Sequence, residues 1–301
     1  MDLKQLEYFV HVAELGSFTR AANRLAVVQS ALSRQVRALE VELRQPLFAR
    51  TGRGVTLTEP GRRLLEHGRG ILQQVERARQ DIEDRRGEVG GHVVIGLPPS
   101  VSRTLTGPLV KAFRARLPDA TLSVVEGLSN YVLEWLAIGR VDCAVVYNVV
   151  PSPAVALQPV LDEALFLVSA RAVPGQGRLV GAPVSLAEVA RHELVIPSRP
   201  HSMRMLLESA LAAEGVEPRI GLEIESVPAI LDLVQHDALH AVLALNAVEA
   251  SGNDAAFRAR PIGPPRLKTT LWIATSAQRP RGPLIERTSE LLRELLLVSR
   301  Q

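Results

Sequence analysis

Gln29, Ser30, Ser33, Arg34 and Arg37 fall at spacings that set them on the outer side of one helix, while Ala31, Leu32, Val36, Leu39 and Leu43 recur on its inner side. Amide, hydroxyl and guanidinium groups on a helix face are the types that reach base edges and phosphate oxygens in a major groove. The segment just upstream must position them. Phe18, Ala21, Ala22 and Leu25 also recur at helical spacing. Ser17 stands where an N-cap hydroxyl can accept from an unpaired helix-start N–H, and the two alanines are small enough for helices to cross closely. Residues 17–43 therefore read as two short helices joined by a tight turn. A duplex-binding helix-turn-helix and an ordinary packed pair share this periodicity, so the rest of the chain decides between them.

Charge favours the duplex. Residues 1–58 hold eight Lys/Arg against five Asp/Glu, whereas the remaining residues hold 27 of each, so the formal excess of +3 lies wholly in the N-terminal fifth. Arg50-Thr51-Gly52-Arg53-Gly54 suits a hairpin tip, and Val55 and Leu57 alternate with Thr as in a short strand. Arg50 and Arg53 at such a tip suit a wing that grips the backbone or enters a minor groove. Beyond it, Leu64, Gly68, Ile71, Val75, Ala78 and Ile82 follow at alternating steps of four and three. That is a heptad seam on a helix predicted from Glu59 to Arg86. So narrow a stripe is better buried against a second copy than against a globular core, although Gly68 and Gly70 each weaken a helix interior by about 1 kcal/mol. Paired reading heads on a two-fold axis imply an interrupted palindrome as target.

At 301 residues and 47% hydrophobic, the chain can bury substantial cores in more than one domain. A single cysteine, Cys143, excludes an internal disulfide and lies in the apolar run Val141–Val146, which makes it a core thiol. No stretch has the length to span a bilayer, and the N-terminus lacks the regions of a signal peptide, so a cytoplasmic protein without membrane contact is expected. From Gly90 onward strands and helices alternate. Strands are predicted at 92–97, 121–126 and 142–147, with helices at 105–117 and 131–138 between them, a βαβαβ run with a parallel sheet. A second set of alternating elements covers 164–245, and the segments 268–275 and 284–298 return to the first.

The residues that carry a family resemblance are Leu6-Glu7-Tyr8-Phe9, Gly16 through Ala22, Gln29 through Gln35, Leu39-Glu40, Pro46-Leu47-Phe48 and Leu57-Thr58. With them the chain closely resembles LysR-type transcriptional regulators. The resemblance implies a winged helix-turn-helix head at 1–58, a linker and dimerisation helix with its hinge at 59–90, and an α/β, two-lobed, periplasmic-binding-protein-like effector domain at 91–301. Lobe I is expected at about 91–161 and 267–301, lobe II at about 162–266. It also implies a dimer or tetramer on promoter DNA, contact with RNA polymerase, and modulation by a small, anionic metabolite, with no cofactor. Ser17, Gln29, Ser30, Ser33, Arg34, Arg37, Arg50 and Arg53 are the expected DNA contacts. Departures are Ser30 where the family usually has Pro, Arg44 for Gly, Ala49 for Glu and Pro60 for Ala.

By the same resemblance the effector lies between the lobes, at strand carboxyl ends and helix starts. The first lobe is expected to contribute Pro98, Ser100, Ser102, Gly127, Ser129, Tyr147 and Asn148. The second is expected to contribute Ser198, His201, Ser202, Ser226 and Val227. Each of these hydroxyls is equally suited to cap a helix. Ser100, Glu126 through Ser129 and Leu133 through Leu136 most resemble the nitrogen-assimilation-control branch, whose members can act without a small coinducer. Asp237, Leu239 and Ala244 stand where the family has Gly, Gly and Pro, so this corner is expected to be built differently.

Other chemistry is weaker. No phosphate loop is present, and Gly175-Gln176-Gly177 lies in a Pro-containing loop. His236 and His240 are four apart but lack further ligands, so no metal is expected. His201 lacks a nucleophile partner, so no catalysis is expected. The competing reading, a two-lobed solute-binding protein or small enzyme with an N-terminal oligomerisation segment, predicts apolar residues where Gln29, Ser33, Arg34 and Arg37 stand.

Overall fold

Reciprocal capping starts the chain. In the computed structural model, which describes residues 1–51, 54–83, 90–171, 179–264, 266–279 and 281–298, the Asp2 side chain accepts from the Gln5 N–H at 2.7 Å and the Gln5 side chain accepts from the Asp2 N–H at 3.0 Å. Helix α1 (Leu3–Leu15) follows and ends at Gly16, whose φ of 60° suits a residue without a Cβ. Ser17 then starts α2 (Phe18–Arg24) by accepting from the Arg20 N–H at 3.3 Å. Leu32 and Val36 of α3 (Gln29–Leu43) pack on Tyr8, Val12, Ala21 and Ala22. The wing is an antiparallel hairpin of β1 (Phe48–Thr51) and β2 (Gly54–Leu57). It seats on the turn after α1, where the Val55 N–H donates to the Gly16 carbonyl at 3.2 Å. A Cβ on Gly54 would lie 2.6 Å from that same carbonyl oxygen, so the contact requires glycine.

Helix α4 (Glu59–Glu83) leads away from the head. Its apolar stripe is divided rather than left whole for a second copy. A Cβ on Gly68 would lie 3.0 Å from Val10 and 3.1 Å from Leu6, because α1 lies directly on this glycine, and Leu64 packs in the same core. Ile71 and Ala78 are exposed and Val75 is half-buried. The Ile82 side chain lies outside the described residues.

The remainder forms two lobes. Lobe I is built from β3 (Gly91–Leu97), α5 (Pro99–Arg116), β4 (Ala120–Glu126), α6 (Ser129–Ala137) and β5 (Cys143–Tyr147), followed by β6 (Val155–Ala170), which crosses into lobe II. Lobe II continues with α7 (Leu186–Val189), β7 (Glu193–Ile196), α8 (Ser202–Ala213), β8 (Arg219–Glu223), α9 (Val227–His236), β9 (Ala241–Ala244), α10 (Leu245–Glu249) and β10 (Phe257–Pro261). The return strand β11 (Lys268–Ser276) and α11 (Pro283–Val298) complete lobe I.

Strand β3 lies parallel to β4 and β5, as the βαβαβ reading requires, and β11 runs antiparallel between β5 and β6. Residues 155–164 of β6 pair with β11, whereas 165–170 pair with β9 and β10. The two lobes are therefore joined through one continuous strand. Alternate residues of β3 face opposite cores: Val93 and Ile95 lie beneath α5 and α11, and Val94 beneath α6. That two-sided burial explains the uninterrupted apolar run. Helix α5 starts at Pro99, ahead of its predicted start at Leu105, since proline is tolerated at a first helical position. Among the described residues no helix is long and apolar enough to cross a membrane.

Candidate nucleic-acid interface and interlobe cleft

Held by its apolar side, α3 leaves the other side open. Gln29, Ser30, Arg34 and Arg37 are exposed and Ser33 is half-buried. Among the described residues none of these five side chains forms a hydrogen bond or ion pair. Four of the five acidic groups of the head, all but Glu7, are occupied instead. Asp2 caps α1, Glu14 pairs with Arg69 at 3.0 Å, and Glu42 pairs with the terminal amine. Glu40 accepts from the Leu47 and Phe48 N–H groups at 2.8 and 3.2 Å. The face thus carries cations, while four of the head's five anions are engaged elsewhere. Ser17 spends its hydroxyl on the α2 cap. Arg53 lies outside the described residues, as does the side chain of Arg50. Val28, 70% exposed at the head of α3, is an apolar group on this surface that polarity alone does not single out.

The second site lies where β6 passes between the lobes. Glu163 of β6 is opposite Thr269 of β11, and both are buried on the floor of a cavity of about 140 Å³. Pro98, Ser100, Ser129 and Tyr147 line it from lobe I, and His201, Ser202, Val227, Asn246 and Glu225 from lobe II. Ser129 accepts from the Tyr147 N–H at 3.0 Å, which ties the start of α6 to the end of β5. His201 Nδ1 accepts from the Met203 N–H at 3.3 Å, leaving the proton of a neutral ring on Nε2. Burial pushes the His201 pKa below the usual imidazole value, with Glu225 opposing in part.

Five of the expected cleft residues stand elsewhere. Ser102 turns inward and donates to Glu126 at 2.6 Å. Gly127 makes room for the Trp135 ring, which would lie 2.6 Å from a Cβ there. Asn148 binds the Thr270 N–H at 3.0 Å and fastens β5 to β11 from a left-handed conformation, φ 48°. Ser198 donates to Glu225. Ser226 lines an adjoining outer groove together with Ser100 and Val227.

Residues 3–62 match the model of the "Bacterial regulatory helix-turn-helix protein, lysR family", and residues 86–297 match the "LysR substrate binding domain". The chain belongs to the LysR family of transcriptional regulators. It is 34% identical, over all 301 residues and 96% of the relative, to the nitrogen assimilation regulatory protein nac of Klebsiella aerogenes. The Escherichia coli K12 protein of the same name is 31% identical, across 98% of this chain and 95% of its own. Full-length CbnR in complex with its target DNA superposes with a TM-score of 0.69 at 26% identity, covering 98% of this chain and all of that one. A full-length OxyR variant from Pseudomonas aeruginosa shares the fold with a TM-score of 0.71 at 22% identity, covering 98% of this chain and 94% of that one.

As a LysR regulator, the chain combines a DNA-binding helix-turn-helix with a small-molecule effector domain. The regulator's cleft also contains Glu163, Thr269, Glu225 and Asn246, none of which sequence reasoning selected. Glu163 had one signal. It is a carboxylate inside a strand whose next residues, Ala164 through Val168, are apolar, which fits a buried group kept for a purpose. His236 pairs with Asp232 at 3.6 Å, while the His240 ring stacks on His192 with centroids 4.1 Å apart, so the two histidines serve separate contacts.

Proposed function

We propose that α3 lies in a major groove with Gln29, Ser30, Ser33 and Arg34 toward base edges and Arg37 toward phosphates, and that Val28 meets thymine methyl groups. The observation that carries this is the open polar face of α3, five side chains with no partner among the described residues. Paired heads on a two-fold axis then read an interrupted palindrome whose half-sites lie ~34 Å apart. Ile71, Val75 and Ala78 of α4 support a dimer, and a dimer of dimers gives the tetramer. The units are a head at 1–58, a linker at 59–90 and an effector domain at 91–301. The protein acts in the cytoplasm, regulates without catalysing a reaction, and engages RNA polymerase at its promoters. Likeness to the nac proteins supports control of genes for nitrogen supply.

Duplex binding at two salt concentrations tests the reading. Arg34→Ala is expected to lose ~1–3 kcal/mol and to relax sequence preference at one position. Arg37→Ala is expected to weaken binding to all sequences and to reduce the salt slope by about one phosphate contact. Unchanged duplex affinity in both variants refutes the placement of α3.

A further inference from the structure

We propose that the outer groove between the lobes takes a zwitterionic α-amino acid. Its carboxylate lies on Arg103 and Ser100, its ammonium group on Glu225 and Asn246, and its apolar side chain in the cleft behind. This rests on the reading of the cleft as the effector site and names the chemistry of what enters. The outer groove encloses about 410 Å³ and adjoins the cleft, with which it shares Ser100, Glu225, Val227 and Asn246. Its charges come from opposite lobes, Arg103 from α5 of lobe I and Glu225 from just ahead of α9 in lobe II. Neither has an ion-pair partner among the described residues. Arg103 spends one N–H on the Ala250 carbonyl at 3.3 Å, which leaves most of its guanidinium donors for a ligand. Glu225 accepts from the Ser198 hydroxyl, which leaves most of its lone pairs for a donor.

Asn246 supplies a second observation. Its Oδ1 is buried and accepts no hydrogen bond among the described residues. A buried acceptor without a partner is costly, and an N–H from a ligand in the groove removes that cost. A simple carboxylate would pair with Arg103 but leave Asn246 unfilled and bring like charge toward Glu225. A simple ammonium ion would serve Glu225 and Asn246 but leave Arg103 without a counter-charge. A zwitterion answers both. Because the two charges stand on opposite lobes, its binding also ties the lobes together and favours one interlobe arrangement. Leu128, Leu165, Met203, Val227 and Leu243 wall the cleft of about 140 Å³ behind, which suits a compact apolar side chain.

Calorimetric titration of the full-length protein with L-leucine, 4-methylpentanoate and 3-methylbutylammonium tests this. The second probe is leucine without its amine, the third leucine without its carboxylate. Leucine is expected to bind at least about tenfold more tightly than either. Arg103→Gln is expected to abolish the preference over the ammonium ion and keep that over the carboxylate, and Glu225→Gln to do the reverse. Both side chains are exposed, so neither change disturbs a core. A single-charge probe that binds as tightly as leucine overturns the proposal, as does wild-type leucine affinity in both variants or binding of none of the three. A single-charge probe that binds best and shifts operator affinity leaves the effector reading intact while removing the amino acid. Leucine binding that follows both charges but leaves operator affinity unchanged supports the amino-acid site and removes its effector role.

Discussion

Arg44 sets a backbone cost against an exposed surface charge. It closes α3 in the left-handed region, φ 52° and ψ 33°, with its N–H on the carbonyls of Glu40 and Val41. That conformation favours glycine and is strained by about 1–2 kcal/mol for a side chain with a Cβ. Arg44 is exposed and no ion pair among the described residues offsets that strain, so a phosphate contact on bound DNA is the expected compensation. Arg44→Gly is therefore expected to raise unfolding stability by about 1 kcal/mol in urea titrations while lowering the salt slope of operator binding by about one contact. Higher stability with an unchanged slope would place Arg44 off the duplex. Ala238, φ 52°, bears the same strain at the corner after α9, where neighbouring Asp237 and Leu239 stand in place of the family's glycines.

At the scale of elements, α4 both extends from the head and docks on lobe I. Gln73 donates to Asp142 at 3.1 Å, Glu66 pairs with Arg140, and the Arg140 guanidinium lies 4.2 Å from the Trp135 ring centroid. A Cβ on Gly70 would lie 2.1 Å from the Ile138 carbonyl oxygen, so the approach of α4 to the end of α6 depends on this glycine. Gly70→Ala is expected to force the helix away, to cost ~1–3 kcal/mol of stability, and to speed amide exchange at 66–74 and 138–142. Unchanged exchange there would show that the docking does not depend on Gly70. The two glycines explain where sequence reading succeeded and where it stopped. Apolar spacing located α4, α3 and the two-sided strands β3 and β5, because local periodicity reflects which faces are buried. It could not show that α1 takes the start of the seam at Leu64 and Gly68, or that Gly70 meets lobe I, since these contacts lie about 60 or more positions away in the chain. The same limit hid the first half of β6. Pro159, Asp162 and Glu163 interrupt its apolar pattern, yet β11 pairs along it and places Glu163 on the cleft floor.

Across the whole molecule, acid should loosen lobe II first. Burial pushes His201 below its ordinary pKa, with Glu225 opposing, and burial together with the stacked His192 does the same to His240. Protons therefore bind the unfolded histidines more readily, so stability is full above the ordinary imidazole value of 6.5 and declines as pH falls below it. A second loss follows near the ordinary glutamate value of 4.5. At Glu208 burial raises the pKa, but hydrogen bonds from Arg204 and Arg199, at 2.5 and 3.0 Å, outweigh it and leave the net value lowered. A carboxylate so depressed stabilises the fold above its ordinary pKa and loses that contribution as pH falls. Glu188, lowered by its bond from Arg260, acts in the same direction but is screened by solvent. All four groups lie between β6 and β10, within lobe II. Urea unfolding across this range, read by amide exchange in both lobes, should show a two-step decline that begins in lobe II. Replacing His201 and His240 together with Asn should flatten the upper step and spare the lower one. Simultaneous loss of protection in lobe I would show that the lobes unfold as one unit and that these histidines do not set the acid limit.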